Sequence, residues 1–97
     1  MTNQWSGIDR RQFGRRAVLK HAFIVQGEER TKCIVVDISD GGARIKLEKP
    51  EDVPENIALE IPEDDFVVHC QVVHIQSGSI GVKYIRSPMR ISWIKKR

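Results

Sequence analysis

A chain of 97 residues, 40% hydrophobic and 30% charged, suits one domain with a modest core. Its wholly apolar runs are only a few residues long, too short to span a bilayer, and residues 1–16 lack the apolar stretch of a signal peptide. The net charge of +3 is unevenly placed: residues 1–20 carry five Arg/Lys against one Asp, residues 86–97 five against no acid, and residues 21–85 six against twelve. An acidic body with basic ends favours a small anionic ligand, or an acidic partner met by the ends, over a long polyanion wrapped on the fold.

Met1 to Asp9 is polar and without periodicity and reads as a mobile arm, with Trp5 its one aromatic. Arg10, Arg11, Arg15 and Arg16 follow within seven residues, with Gly14 between the two pairs. Guanidinium groups pair bidentately with phosphate and stack flat on rings, which an ammonium cannot do. The organisation expected is therefore a flexible N-terminal arm over 1–16 carrying the arginines and a folded domain over 17–97.

Ala17 to Gln26 and Thr31 to Ile38 are rich in β-branched and apolar residues, with a turn at Gly27-Glu28-Glu29. Asp40-Gly41-Gly42 accepts positive φ and predicts a tight hairpin. Ala43, Ile45 and Leu47 alternate with Arg44 and Lys46, the pattern of a half-buried strand. Pro50 and Pro54 mark a loop. Ile57, Leu59 and Ile61 predict another strand, Pro62 and the acidic run Glu63-Asp64-Asp65 a turn, and Phe66 to Ile75 a long strand. After Ser77-Gly78, Ser79 to Arg86 places Ile80, Val82 and Tyr84 on one face and Gly81 and Lys83 on the other. Six strands at this spacing predict an antiparallel barrel or sandwich. Ser87-Pro88 is a helix-start signal that puts Met89 and Trp93 on one helical face, although Met89, Ile91 and Trp93 also alternate as a closing strand would. Cys33 and Cys70 lie far apart on strands and are expected as buried, reduced thiols.

The arginine cluster contains Arg-x-x-x-Arg at Arg11 and Arg15. After one strand and its turn comes Asp-x-Ser-x-x-Gly at Asp37, Ser39 and Gly42. A basic tail or an Asp-Gly-Gly turn alone needs no function, and Asp37 or Ser39 could simply cap backbone N–H groups. The two in this order resemble the PilZ domain, the bacterial receptor module for cyclic di-GMP, and the likeness runs from about residue 9 to 86. The resemblance implies a six-stranded antiparallel β-barrel, here with a short C-terminal helix. It implies that Arg11 and Arg15 grip phosphates and the guanine face, and that Asp37 and Ser39 address the ligand from the barrel. Gly42 would keep the turn tight enough to leave space, and Arg10 would favour binding the messenger as a stacked pair. It further implies a cytoplasmic adaptor that passes messenger level to a protein partner controlling motility, biofilm or exopolysaccharide, with no cofactor beyond cyclic di-GMP itself.

The chemistry fits that ligand. Guanine O6 and N7 and the phosphates accept from arginine, and a carboxylate such as Asp37 accepts from guanine N1 and N2 but repels phosphate. Arg11 and Arg15 span about 13 Å at most if extended and about 6 Å on a turn, which brackets the ligand. If the strand continues through Ser39, Asp37 and Ser39 share one face. Two rivals stand beside this reading: a nucleic-acid-binding small barrel, and a PilZ-like adaptor that binds no ligand. The rival barrel would stack bases on aromatics in a basic groove, yet the chain has six aromatics and an acidic body. His21, His69 and His74 form no catalytic or metal-ligand spacing, and Asp37 with Ser39 lacks a general base, so no enzyme, no metal, no nucleic-acid partner and no membrane insertion are expected.

Overall fold

The structure, a computed structural model, describes residues 16–95. Six strands make a closed antiparallel barrel: β1 (Arg16–Gln26), β2 (Glu29–Ile38), β3 (Gly42–Lys46), β4 (Asn56–Ile61), β5 (Phe66–Gln76) and β6 (Ser79–Tyr84), in the order β1-β2-β3-β6-β5-β4. A short helix, α1 (Ile91–Lys95), follows. The alternation seen in the sequence is the inward and outward alternation of the barrel wall. Ile45 on β3, Ile57, Leu59 and Ile61 on β4, and Ile80 and Val82 on β6 are all buried, and Tyr84 packs against them. Both thiols are free and buried. Burial pushes the Cys33 and Cys70 thiols up to about 12. No helix of the described residues is long and apolar enough to cross a membrane.

The two ends of the barrel are built differently. At one end the β1–β2 turn uses Gly27 at φ +60° and the β5–β6 turn uses Gly78 at φ +78°, the left-handed conformation that glycine takes without a Cβ penalty. The β2–β3 turn lies at the opposite end and departs from the expected hairpin. Neither Asp40, Gly41 nor Gly42 has a positive φ; among the described residues the third such conformation is Asp65, at φ 53°. The Ser39 N–H donates to the Gly42 carbonyl at 2.9 Å, and so does the Ser39 hydroxyl at 3.2 Å. The Gly41 N–H donates to Ser39 Oγ at 3.4 Å. A backbone bond reinforced by the Ser39 side chain, rather than a left-handed residue, closes this turn.

The C-terminal segment also differs from expectation. The helix starts at Ile91, not after Ser87-Pro88, because the chain beyond β6 stays bonded to β5. The Ile85 N–H donates to the His69 carbonyl, and Met89 and Val67 exchange backbone bonds in an isolated bridge. Met89 thus behaves as the alternate strand pattern suggested, and only the residues after it are helical. The cap comes from elsewhere in the chain. Asp65 accepts from the Ser92 N–H at 2.9 Å and from the Ser92 hydroxyl at 2.8 Å, with Arg90 at 3.6 Å. Ser92 first, then Arg90, holds the Asp65 carboxyl below its usual range.

Candidate functional site

β2 ends at Ile38, so the strand does not run through Ser39. Its facing is set by a bulge instead. Cys33 and Val35 point into the barrel, and a strict period of two would send Asp37 inward as well. The register shifts between Val35 and Asp37, so Asp37 pairs with Arg44 on the outer face while Ile38 turns in against the core opposite Ala43. β5 does the same. Val68, Cys70 and Val72 face the core, the register shifts between Val72 and His74, and His74 emerges outside opposite Gly81. The Cα pairings Asp37↔Arg44, Arg44↔Gly81 and Gly81↔His74 form one row across four strands.

That row forms the floor of a recess of about 370 Å³, and Ser39, Gly41, Gly42 and Val73 also line it. Three of the six predicted site residues, Asp37, Ser39 and Gly42, therefore meet at one place. Arg10, Arg11 and Arg15 lie outside the described residues. β1 begins at Arg16, whose Cα pairs with Ile38, and Ala17 pairs with Asp37. The chain thus enters the barrel beside the recess. Gly42 has a reason of its own: a Cβ there would collide with the Val82 carbonyl oxygen on β6. It lets two strand backbones approach, in addition to leaving room above the turn.

Arg44, Gly81 and His74 were missed in the sequence. Arg44 could have been found, since it stands two residues after Gly42 and so on the same face of β3; His74 could not, because a period-two count puts it indoors. Size would have misled, too. A larger hollow, of about 1030 Å³, lies towards the far end, between the β1–β2 hairpin and the loop after β3. It holds none of the described motif residues and mixes Lys32, Lys46 and Lys49 with Glu29, Glu48 and Asp52. Among the described residues, no three His, Cys, Asp or Glu side chains group to hold a metal ion.

Near the recess the backbone is braced from inside. The Tyr84 N–H donates to the Gly41 carbonyl at 2.9 Å. The Tyr84 ring packs against the core with Phe66 at 6.2 Å, yet among the described residues its buried hydroxyl has no hydrogen-bond partner. Burial, followed by the nearby Cys70 and Asp40, pushes that phenol up to about 12.

None of the curated proteins matches this chain. A family model described as the PilZ domain matches residues 9–94, from the arginine cluster through the barrel to the last helix. That match takes in nearly the whole chain, so the chain belongs to the PilZ domain family, a family of cyclic di-GMP-binding and adaptor domains rather than of known enzymes.

Proposed function

We propose that this chain is a cytoplasmic cyclic di-GMP receptor that passes messenger level to a protein partner. The observation that carries the reading is the entry of the chain at Arg16, opposite Ile38 and next to Asp37, Ser39 and Gly42. Arg15 is bonded to Arg16, so its Cα is about 3.8 Å away, and Arg11 is tethered within about 18 Å. Both guanidinium groups are therefore leashed to the rim of the recess. They take the phosphates and stack on purine faces, while Asp37 accepts from the guanine N–H donors. The Ser39 hydroxyl is already spent within the turn, so its first role is to hold that turn in shape. Arg10 sets the stoichiometry, favouring a stacked pair of messenger molecules. For a partner, Trp93 on α1, 62% exposed, offers an apolar contact beside the basic C-terminal residues.

Calorimetry tests this directly, with cyclic di-GMP as ligand and GTP and single-stranded RNA as controls. Arg11→Ala and Arg15→Ala are each expected to weaken messenger binding by roughly ten- to a hundredfold, the worth of a charge-assisted hydrogen bond, with the barrel still folded. Arg10→Ala is expected to halve a two-per-protein stoichiometry. RNA binding tighter than messenger binding would sink the reading in favour of a nucleic-acid barrel.

A further inference from the structure

Resting on that reading, we infer that Val73 is a further ligand residue, an apolar shelf for one face of a messenger guanine. The bulge on β5 puts it there. Between Val72, paired with Val82, and His74, paired with Gly81, β5 carries one residue more than β6 can match. Val73 is that residue, and it stands out of the wall next to His74, 57% exposed. Bulges of this kind are common beside binding sites, where they re-aim a side chain.

A lone exposed aliphatic on a surface needs no function, but the surroundings of this one are particular. Ile38, Ala43 and Val82 also line the recess, yet their side chains belong to the core. Val73 is therefore the one aliphatic among the lining residues that is not packed inward. Around it stand polar side chains, as at Ser39 and His74, and bare backbone at Gly41, Gly42 and Gly81. Guanine matches such a lining, since its polar atoms lie along its edges while its faces are apolar. Ligand sites generally join an apolar wall to a few placed polar groups. The arginines before β1 stack on one face of the base, and Val73 takes water off the other. An aliphatic contact strips water from a phosphate and returns no hydrogen bond, so a base and not a phosphodiester lies on this part of the floor.

The test follows the Val73 methyl groups of the full chain by NMR as cyclic di-GMP is added. Protons over the face of an aromatic ring shift upfield, so these resonances are expected to move upfield, with Overhauser contacts to the guanine H8 proton. Val73→Thr keeps the shape and swaps a methyl for a hydroxyl. By calorimetry it is expected to bind the messenger roughly three- to tenfold more weakly. That loss is expected to be the same at high salt as at low, because no charge is removed. Ile75 is the control, 53% exposed on the same strand but outside the recess, and Ile75→Thr is expected to leave affinity unchanged. Circular dichroism checks that both variants remain folded. Val73 methyls that do not move at saturation, a Val73→Thr affinity equal to the parent's, or an equal loss in Ile75→Thr overturns the inference alone. A parent chain that does not bind cyclic di-GMP at all removes the receptor reading, and the inference falls with it.

Discussion

The barrel has one end whose turns rest on left-handed glycines and one end where side-chain oxygens reinforce the backbone bonds. At the far end, Gly27 and Gly78 turn the chain with left-handed glycines that have open space around them. At the end where β1 begins, Ser39 ties the β2–β3 turn and Asp65 caps α1, while Lys20 pairs with Asp64 at 3.0 Å. That pairing with Asp64, rather than burial, holds the Lys20 ammonium above its ordinary pKa. The difference shows where the sequence is constrained and by what. Far-end turns need only a residue that tolerates positive φ, whereas the near end needs particular oxygens in particular places. Asp37, Ser39 and Gly42, the described motif residues, fall at the second end, where identity matters atom by atom.

Substitutions can break or sharpen this contrast. The largest effect on stability is expected at the near end from Gly42→Ala, which drives a methyl into the Val82 carbonyl and costs about 1–3 kcal/mol or more in chemical denaturation. Loss of ligand binding with unchanged stability would instead mean that Gly42 serves only the recess. At the far end, Gly27→Ala and Gly78→Ala are each expected to cost about 1–2 kcal/mol through strained φ, with messenger affinity untouched. Ser39→Ala should cost about 1 kcal/mol and weaken messenger binding as well, since it loosens the turn next to Asp37. Tyr84→Phe runs the other way, removing a buried hydroxyl that has no partner among the described residues and adding about 1 kcal/mol.

The smallest effect is a pH dependence. The folded Asp65 pKa is lowered, so the stability it adds is present above its unfolded pKa and is lost as pH falls through the folded value. Melting curves of the parent and Asp65→Asn are expected to differ at neutral pH and to converge on acidification. No difference at neutral pH would show that Asp65 acts through its left-handed backbone alone, which Asn adopts as readily.

Much of this fold was legible because alternation survives wherever a strand is half-buried, as at Ala43-Ile45 or Ile57-Leu59-Ile61. The break points were not. Cys33-Ile34-Val35-Val36 is apolar throughout, so nothing in it shows where the face changes, and Val72-Val73 hides the second bulge in the same way. Ser87-Pro88 is a genuine local helix signal, but backbone pairing of Met89 with Val67 outcompeted it, and the cap came from Asp65, 27 residues away. Asp37, Ser39 and Gly42 were singled out by their motif. Their meeting with Arg44 and His74 depends on register, which no local pattern encodes.

The bulges at Val35/Asp37 and Val72/His74 also make residue count a carrier of meaning. At this chain length each bulge is what keeps its polar residue outside: flattening the one at Val35/Asp37 would swing a carboxylate into the greasy interior, and flattening the one at Val72/His74 would do the same to an imidazole. Dropping Val36 or Val73 would instead remove the extra residue, restore an unbroken two-step rhythm and leave Asp37 and His74 facing out. Relatives one residue shorter at these two points are therefore expected to keep the same outward row without the bulges.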